Sequence, residues 1–201
     1  MRIGGIGPVV ILAVLGAACV AGPDLVPVSP APGDPIRDRL THQPGTLTGI
    51  EAVDRIIAVV INGDPLELSA KMTFLTAACT EQDGLGGPPK CEEGEEEGSS
   101  VDVFPFLGPE GHFLRKTEVA DWQGLDVSGL YSVYRVSESA FSDPFYPTGE
   151  YAIVFLADDD FMDITLQVTE GRIVRIDYGF GESPEINFET SASEIILPPP
   201  E

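Results

Sequence analysis

The residues of this chain whose types and spacing could do chemistry are three cysteines, two histidines and two runs of carboxylates. Cys79 and Cys91 bracket a stretch that holds Gly84, Gly86, Gly87, Pro88 and Pro89. That spacing suits a disulfide, which in the chain-entropy picture adds about 3 kcal/mol for a loop of this size. Two thiolates could instead begin a zinc site, but two further ligands are required, and His112 is the one natural candidate nearby. The Gly84-Leu85-Gly86-Gly87 run leads into two prolines and a cysteine, not a lysine-serine pair opening a helix, so it does not form a phosphate cradle.

The carboxylates fall in two places. Glu92, Glu93, Glu95, Glu96 and Glu97 put five acids into six residues, and Asp158, Asp159, Asp160 and Asp163 form a second cluster. Mutual repulsion favours a solvated strip in each case. Hard oxygen donors are also the type that calcium takes, so these nine residues are the candidate metal ligands. Neither run has the glycine and terminal glutamate of a helix-loop-helix calcium loop. Nucleophilic catalysis needs a base beside a serine or cysteine. His112 would have to be that base, yet no nucleophile-elbow pattern accompanies it, and a locally bonded strand or turn histidine is the simpler reading. No catalytic residue is assigned.

The third cysteine, Cys19, belongs to a different context. Arg2, an apolar run over 9–15 and the small residues Gly16, Ala17 and Ala18 read as a signal segment over residues 1–18. Leu15-Gly16-Ala17-Ala18-Cys19 resembles the lipobox of bacterial lipoproteins, with the leucine one position further from the cysteine than is usual. That resemblance implies a lipid such as palmitate on Cys19 and a membrane as partner. Ordinary cleavage and an uncleaved helix remain alternatives, the latter opposed by Pro8 and by the missing basic flank. All three place the rest of the chain outside the cytoplasm, in the cell envelope if lipidated and secreted if not.

Residues 19–47 carry Pro23, Pro27, Pro30, Pro32, Pro35 and Pro44 and read as an extended tether, with His42 solvated in it. A formal charge of −22 over 201 residues argues against a duplex nucleic-acid partner, since phosphate binding needs an excess of lysine and arginine. It implies no cofactor.

Folding signals begin at Thr48. Thr48-Gly49-Ile50-Glu51 fits a capping box, and Ile50, Val53, Ile57 and Val60 mark one face of a helix ending at Gly63. Asp64-Pro65 restarts a second helix with Leu68, Met72 and Leu75 as its apolar stripe. The period then shifts to two. Short strands are expected around Val101–Phe106, broken at Pro105, and over 112–116, with a helix over 117–125. Four strands follow at 130–136, 151–157, 161–169 and 172–178, the last two joined by a tight turn at Glu170-Gly171. Tyr131 and Tyr134 are expected on opposite faces of their strand, and Trp122 as a core or rim anchor. Ile195, Ile196 and Leu197 are expected to pack back, leaving 198–201 as a tail. The plan is a single α+β domain over 48–197, with helices packed on a curved antiparallel meander sheet.

That element order, with the Gly63-Asp64-Pro65 break between helices, is similar to the cone-shaped fold of the nuclear-transport-factor and ketosteroid-isomerase superfamily over residues 48–180. The resemblance implies a pocket at the open end of the cone, but no motif transfers that superfamily's acids or tyrosines to Asp102, Asp121, Tyr131 or Tyr134. The lipobox, tether and cysteine loop together resemble small bacterial envelope lipoproteins, a likeness that brings no activity. The chain therefore reads as an extracytoplasmic lipid-anchored binding or structural module rather than an enzyme. Acid-base catalysis in a cone pocket and a calcium-responsive surface domain are the alternatives.

Overall fold

A computed structural model of the chain describes residues 40–84, 86–157, 163–179 and 191–200. Two helices, a single 3-10 turn and eight strands make up these residues. Helix α1 spans Glu51–Asn62 and α2 spans Pro65–Ser69. The strands are β1 (Leu75–Ala78), β2 (Ser100–Leu107), β3 (His112–Arg115), β4 (Val127–Val136), β5 (Tyr151–Ala157), β6 (Asp163–Thr169), β7 (Arg172–Tyr178) and β8 (Ala192–Leu197). Among the described residues no helix is long and apolar enough to cross a membrane. The signal segment, Cys19 and Asp158, Asp159 and Asp160 lie outside the described residues.

Local chemistry starts both helices, although not as the capping box suggests. Ile50 is the N-cap of α1. Thr48 donates its N–H and its hydroxyl to Asp54 Oδ1 at 2.8 and 2.7 Å and accepts from the Ile50 N–H, so the closing acid is Asp54. Glu51, expected to close the box, instead pairs with Arg55 one turn on. The helix stops at Gly63, whose φ of 69° lies in the left-handed region and whose N–H reaches the Val60 carbonyl. Asp64 caps α2 as expected, accepting from the Leu66 and Glu67 N–H groups ahead of Pro65.

The second helix is shorter than its apolar stripe implies. Arg172 donates to the Ala70 carbonyl at 2.7 Å, and Lys71 and Thr73 exchange backbone bonds with Ile173. This pairing draws the chain into an extended course, so Leu75 enters β1 opposite Val103. Tertiary pairing has overridden a weak helical preference. The helix expected over 117–125 is likewise reduced to a 3-10 turn at Val119–Asp121.

All eight strands belong to one sheet. Strands β4, β5, β6 and β7 are antiparallel neighbours in sequence order, as the meander reading expects. Beyond β7 the sheet becomes mixed, because Phe106 and Leu107 of β2 pair in parallel with Ile176 and Asp177. Val103 pairs with both Leu75 and Arg115, and Phe106 with both His112 and Ile176, so β3 holds one flank of β2 while β1 and β7 share the other. Pro105 falls where that shared flank passes from β1 to β7, and β2 runs through it unbroken. At the opposite edge β8 pairs antiparallel with β4.

The cone-like fold is therefore corrected. The sheet is open and not strongly curled, and its parallel β2–β7 contact has no place in an antiparallel meander cone. Helices of 12 and 5 residues are too short to fill the concavity of a wrapped eight-stranded sheet. The resemblance to the nuclear-transport-factor and ketosteroid-isomerase superfamily falls with the cone, and the likeness to envelope lipoproteins built around such a domain falls with it. Among the described residues the helical face of the sheet carries apolar packing where a cone pocket was expected. Val53, Ile56, Ile57 and Val60 of α1 pack there against a continuous apolar cluster that includes Phe104, Leu130, Ile153, Phe155, Leu166 and Ile176.

Residues ahead of the helices also contact the sheet. The His42 N–H donates to the Leu130 carbonyl and its Nε2 lies 2.8 Å from the Pro198 carbonyl, in place of the solvated state expected. Cys79 and Cys91 are joined as a disulfide across a separation of 12 residues. Replacing both with serine should lower unfolding stability by about 3 kcal/mol. Urea unfolding checks this, and an unchanged midpoint would contradict the assigned role of the staple.

Candidate functional site

The two acidic runs meet different fates. Arg115, at the end of β3, lies against the glutamate run: its Nε is 2.7 Å from Glu92, its two terminal nitrogens are each 2.8 Å from a Glu95 oxygen, and one also donates to the Lys90 carbonyl. This pairing holds the Glu95 carboxyl below the usual range. Glu97 accepts from the Thr80 hydroxyl and the Glu81 N–H. Glu93 and Glu96 are exposed. Three of the five glutamates thus act as a clasp over the disulfide loop. The one group of three potential metal ligands among the described residues is Cys79, Cys91 and Glu95, and its sulfurs are consumed by the disulfide.

Asp163 is the exception. It opens β6 and is only 4% exposed. In β6 its side chain shares a face with Thr165 and Gln167, and the register sets Thr165 opposite Asp177 and Gln167 opposite Arg175 on β7. Thr165, Gln167 and Arg175 are also buried. This is the face of the sheet turned away from α1, so the chain buries a polar stripe behind its apolar core.

Each member of the stripe has a defined partner. Arg175 grips Asp177 with two nitrogens, Nε at 2.5 Å and Nη2 at 3.0 Å, and Gln167 Nε2 donates to the same carboxylate at 3.0 Å. The remaining Arg175 nitrogen donates to the Tyr146 carbonyl at 2.8 Å and the Phe141 carbonyl at 3.4 Å. Gln167 Oε1 accepts from the Gly149 N–H. The connection between β4 and β5 is in this way drawn down over the stripe. A Cβ on Gly149 would lie 2.3 Å from the Val168 nitrogen, so only glycine lets that backbone approach. Phe113 packs its ring, tilted by 31°, against Tyr146 from the side of β3.

A cavity of about 380 Å³ remains between these groups, lined among the described residues by Tyr134, Phe141, Asp163, Thr165, Arg175 and Asp177 with others. Asp163 receives the Thr165 hydroxyl at 3.3 Å. Burial raises its pKa first, and the nearby Asp177 charge adds to the rise. Opposite it, a Cβ on Gly179 would come within 1.8 Å of Asp163 Oδ1, so the glycine makes room for the carboxylate. Burial raises the pKa of Tyr134 as well. Tyr134 and Tyr131 face the same side, contrary to the alternation expected, because β4 carries an irregularity between Leu130 and Ser132 that shifts the register by one.

His112 sits at the start of β3, its ring stacked on Phe106 at 5.0 Å, and Trp122 packs at the edge of the apolar core as an anchor. Neither enters the polar stripe. The sequence signal for the stripe is the alternation Asp163, Thr165, Gln167 facing Arg175 and Asp177 across a two-residue turn. Read alone, it indicates a solvated strand face, and only the covering loop makes it a site.

Taking a carboxylate out of water disfavours its charged form, so Asp163 costs stability once it ionises in both the folded and unfolded chain. Asp163→Asn should therefore raise the melting temperature at pH 7. The gain should shrink as the pH falls towards about 4 and vanish below that, where the unfolded aspartate is protonated as well. Thermal melts across this range check the sign, and a loss of stability at pH 7 would contradict it. No family model matches the chain, and neither a curated protein nor a solved structure matches it.

Proposed function

We propose that the chain is an extracytoplasmic binding module, held at a membrane by a lipid on Cys19, with the polar cavity behind the sheet as its working site. The observation that carries the binding reading is the buried Asp163 carboxylate facing open space. A structural core gains nothing from a desolvated acid, whereas binding sites retain such groups because a ligand compensates them. The Cys79–Cys91 disulfide supports the address, since such bonds persist in oxidising compartments and are rare in the cytosol. With those two cysteines paired, Cys19 is left for the lipid.

Cys19→Ser tests the anchor. The native chain should sediment with membranes and partition into detergent, and the variant should appear in the soluble extracytoplasmic fraction with an unchanged melting temperature. Retention of the variant on membranes would overturn the anchoring.

A further inference from the structure

The charge balance of the cavity identifies the kind of ligand it takes. Arg175 is not available to an anion. Four of its five N–H groups are already committed, two to Asp177 and two to the Phe141 and Tyr146 carbonyls. Its charge is neutralised at contact distance by Asp177, whose oxygens also take the Gln167 amide. What remains is Asp163. Its one side-chain donor among the described residues is the Thr165 hydroxyl, at 3.3 Å, and the residue is 4% exposed. Among the described residues the lining thus carries one carboxylate without a charged partner, with the rings of Tyr134 and Phe141 also in the lining.

We infer that the cavity binds a small organic cation of the primary alkylammonium class, with the ammonium group on Asp163 and the alkyl part against the aromatic rings. An ammonium offers three N–H donors to a carboxylate that, among the described residues, takes only its own N–H and the Thr165 hydroxyl, and such charge-assisted bonds strengthen where water is excluded. The faces of tyrosine and phenylalanine attract cations and cover methylene groups. An inorganic divalent ion fits less well. Calcium takes six to eight oxygens, and no set of three acidic, histidine or cysteine ligands converges on Asp163 among the described residues. A volume of about 380 Å³ suits a ligand of metabolite size.

This inference rests on the cavity being a binding site, and four probes separate the two claims. The full chain is titrated by calorimetry with n-butylammonium, with its neutral isostere n-butanol, with butyrate and with calcium. Saturable binding of butylammonium is expected, stronger than that of the other three and weakened about tenfold or more in Asp163→Asn. The variant remains folded, so its melting temperature distinguishes lost binding from lost structure. Binding of butanol or butyrate as tight as that of butylammonium would overturn the cationic class while leaving the cavity a binding site. Preferred binding of calcium would overturn it in favour of a metal. Undiminished binding in Asp163→Asn would overturn the placement of the ammonium. Silence from all four probes would overturn both the inference and the binding reading.

Discussion

The two-pronged contact between Arg175 and Asp177 on one strand is the interaction on which the second face of the sheet depends. A guanidinium buried to this degree is tolerated only when its charge is matched and its donors are used. Asp177 supplies the charge, and the carbonyls of Phe141 and Tyr146 supply the remaining acceptors. The same side chain therefore completes a strand and fastens the connection between β4 and β5 over it. Remove Arg175, and Asp177 and that connection lose a partner together.

This arrangement divides the sheet into two faces with different tasks. Towards α1 the side chains are aliphatic and aromatic and form the continuous core, which supplies stability by excluding water. Away from α1 a smaller apolar patch of Tyr131, Tyr134, Ala152 and Val154 lies beside the polar stripe. The cavity lies on this side of the sheet, with Tyr134 of β4 and Asp163 and Thr165 of β6 in its lining. Its charge follows from Arg175 being already engaged.

Several elements were legible in the sequence because their determinants are local. Asp64-Pro65 starts α2, Gly63 ends α1, Glu170-Gly171 joins β6 to β7, and the two cysteines across a glycine- and proline-rich loop form their disulfide. The overturned expectations are those that depended on distant partners. Leu75 fits a helical stripe as well as a strand, and its pairing with Val103 decides between them. Tyr131 and Tyr134 obey the alternation of a regular strand until an irregularity shifts it. The cone required a curvature and a pocket that no residue in the chain specifies, and the mixed β2–β7 pairing excludes it. Among the described members of the nine acids singled out, Asp163 alone is buried in the cavity, and its aspartate neighbour there, Asp177, carries no local sequence signal that separates it from a solvated strand residue.

Arg175 is thus a buried, charge-paired group that closes the polar face of the sheet. Hydrogen exchange of the arginine Nε protons, followed by nuclear magnetic resonance, tests it most directly, with Arg55 as an internal standard because its side chain is 63% exposed. A protected Arg175 Nε proton that exchanges far more slowly than that of Arg55 is expected. Equal exchange at the two sites would show that the face is open to water and would contradict it.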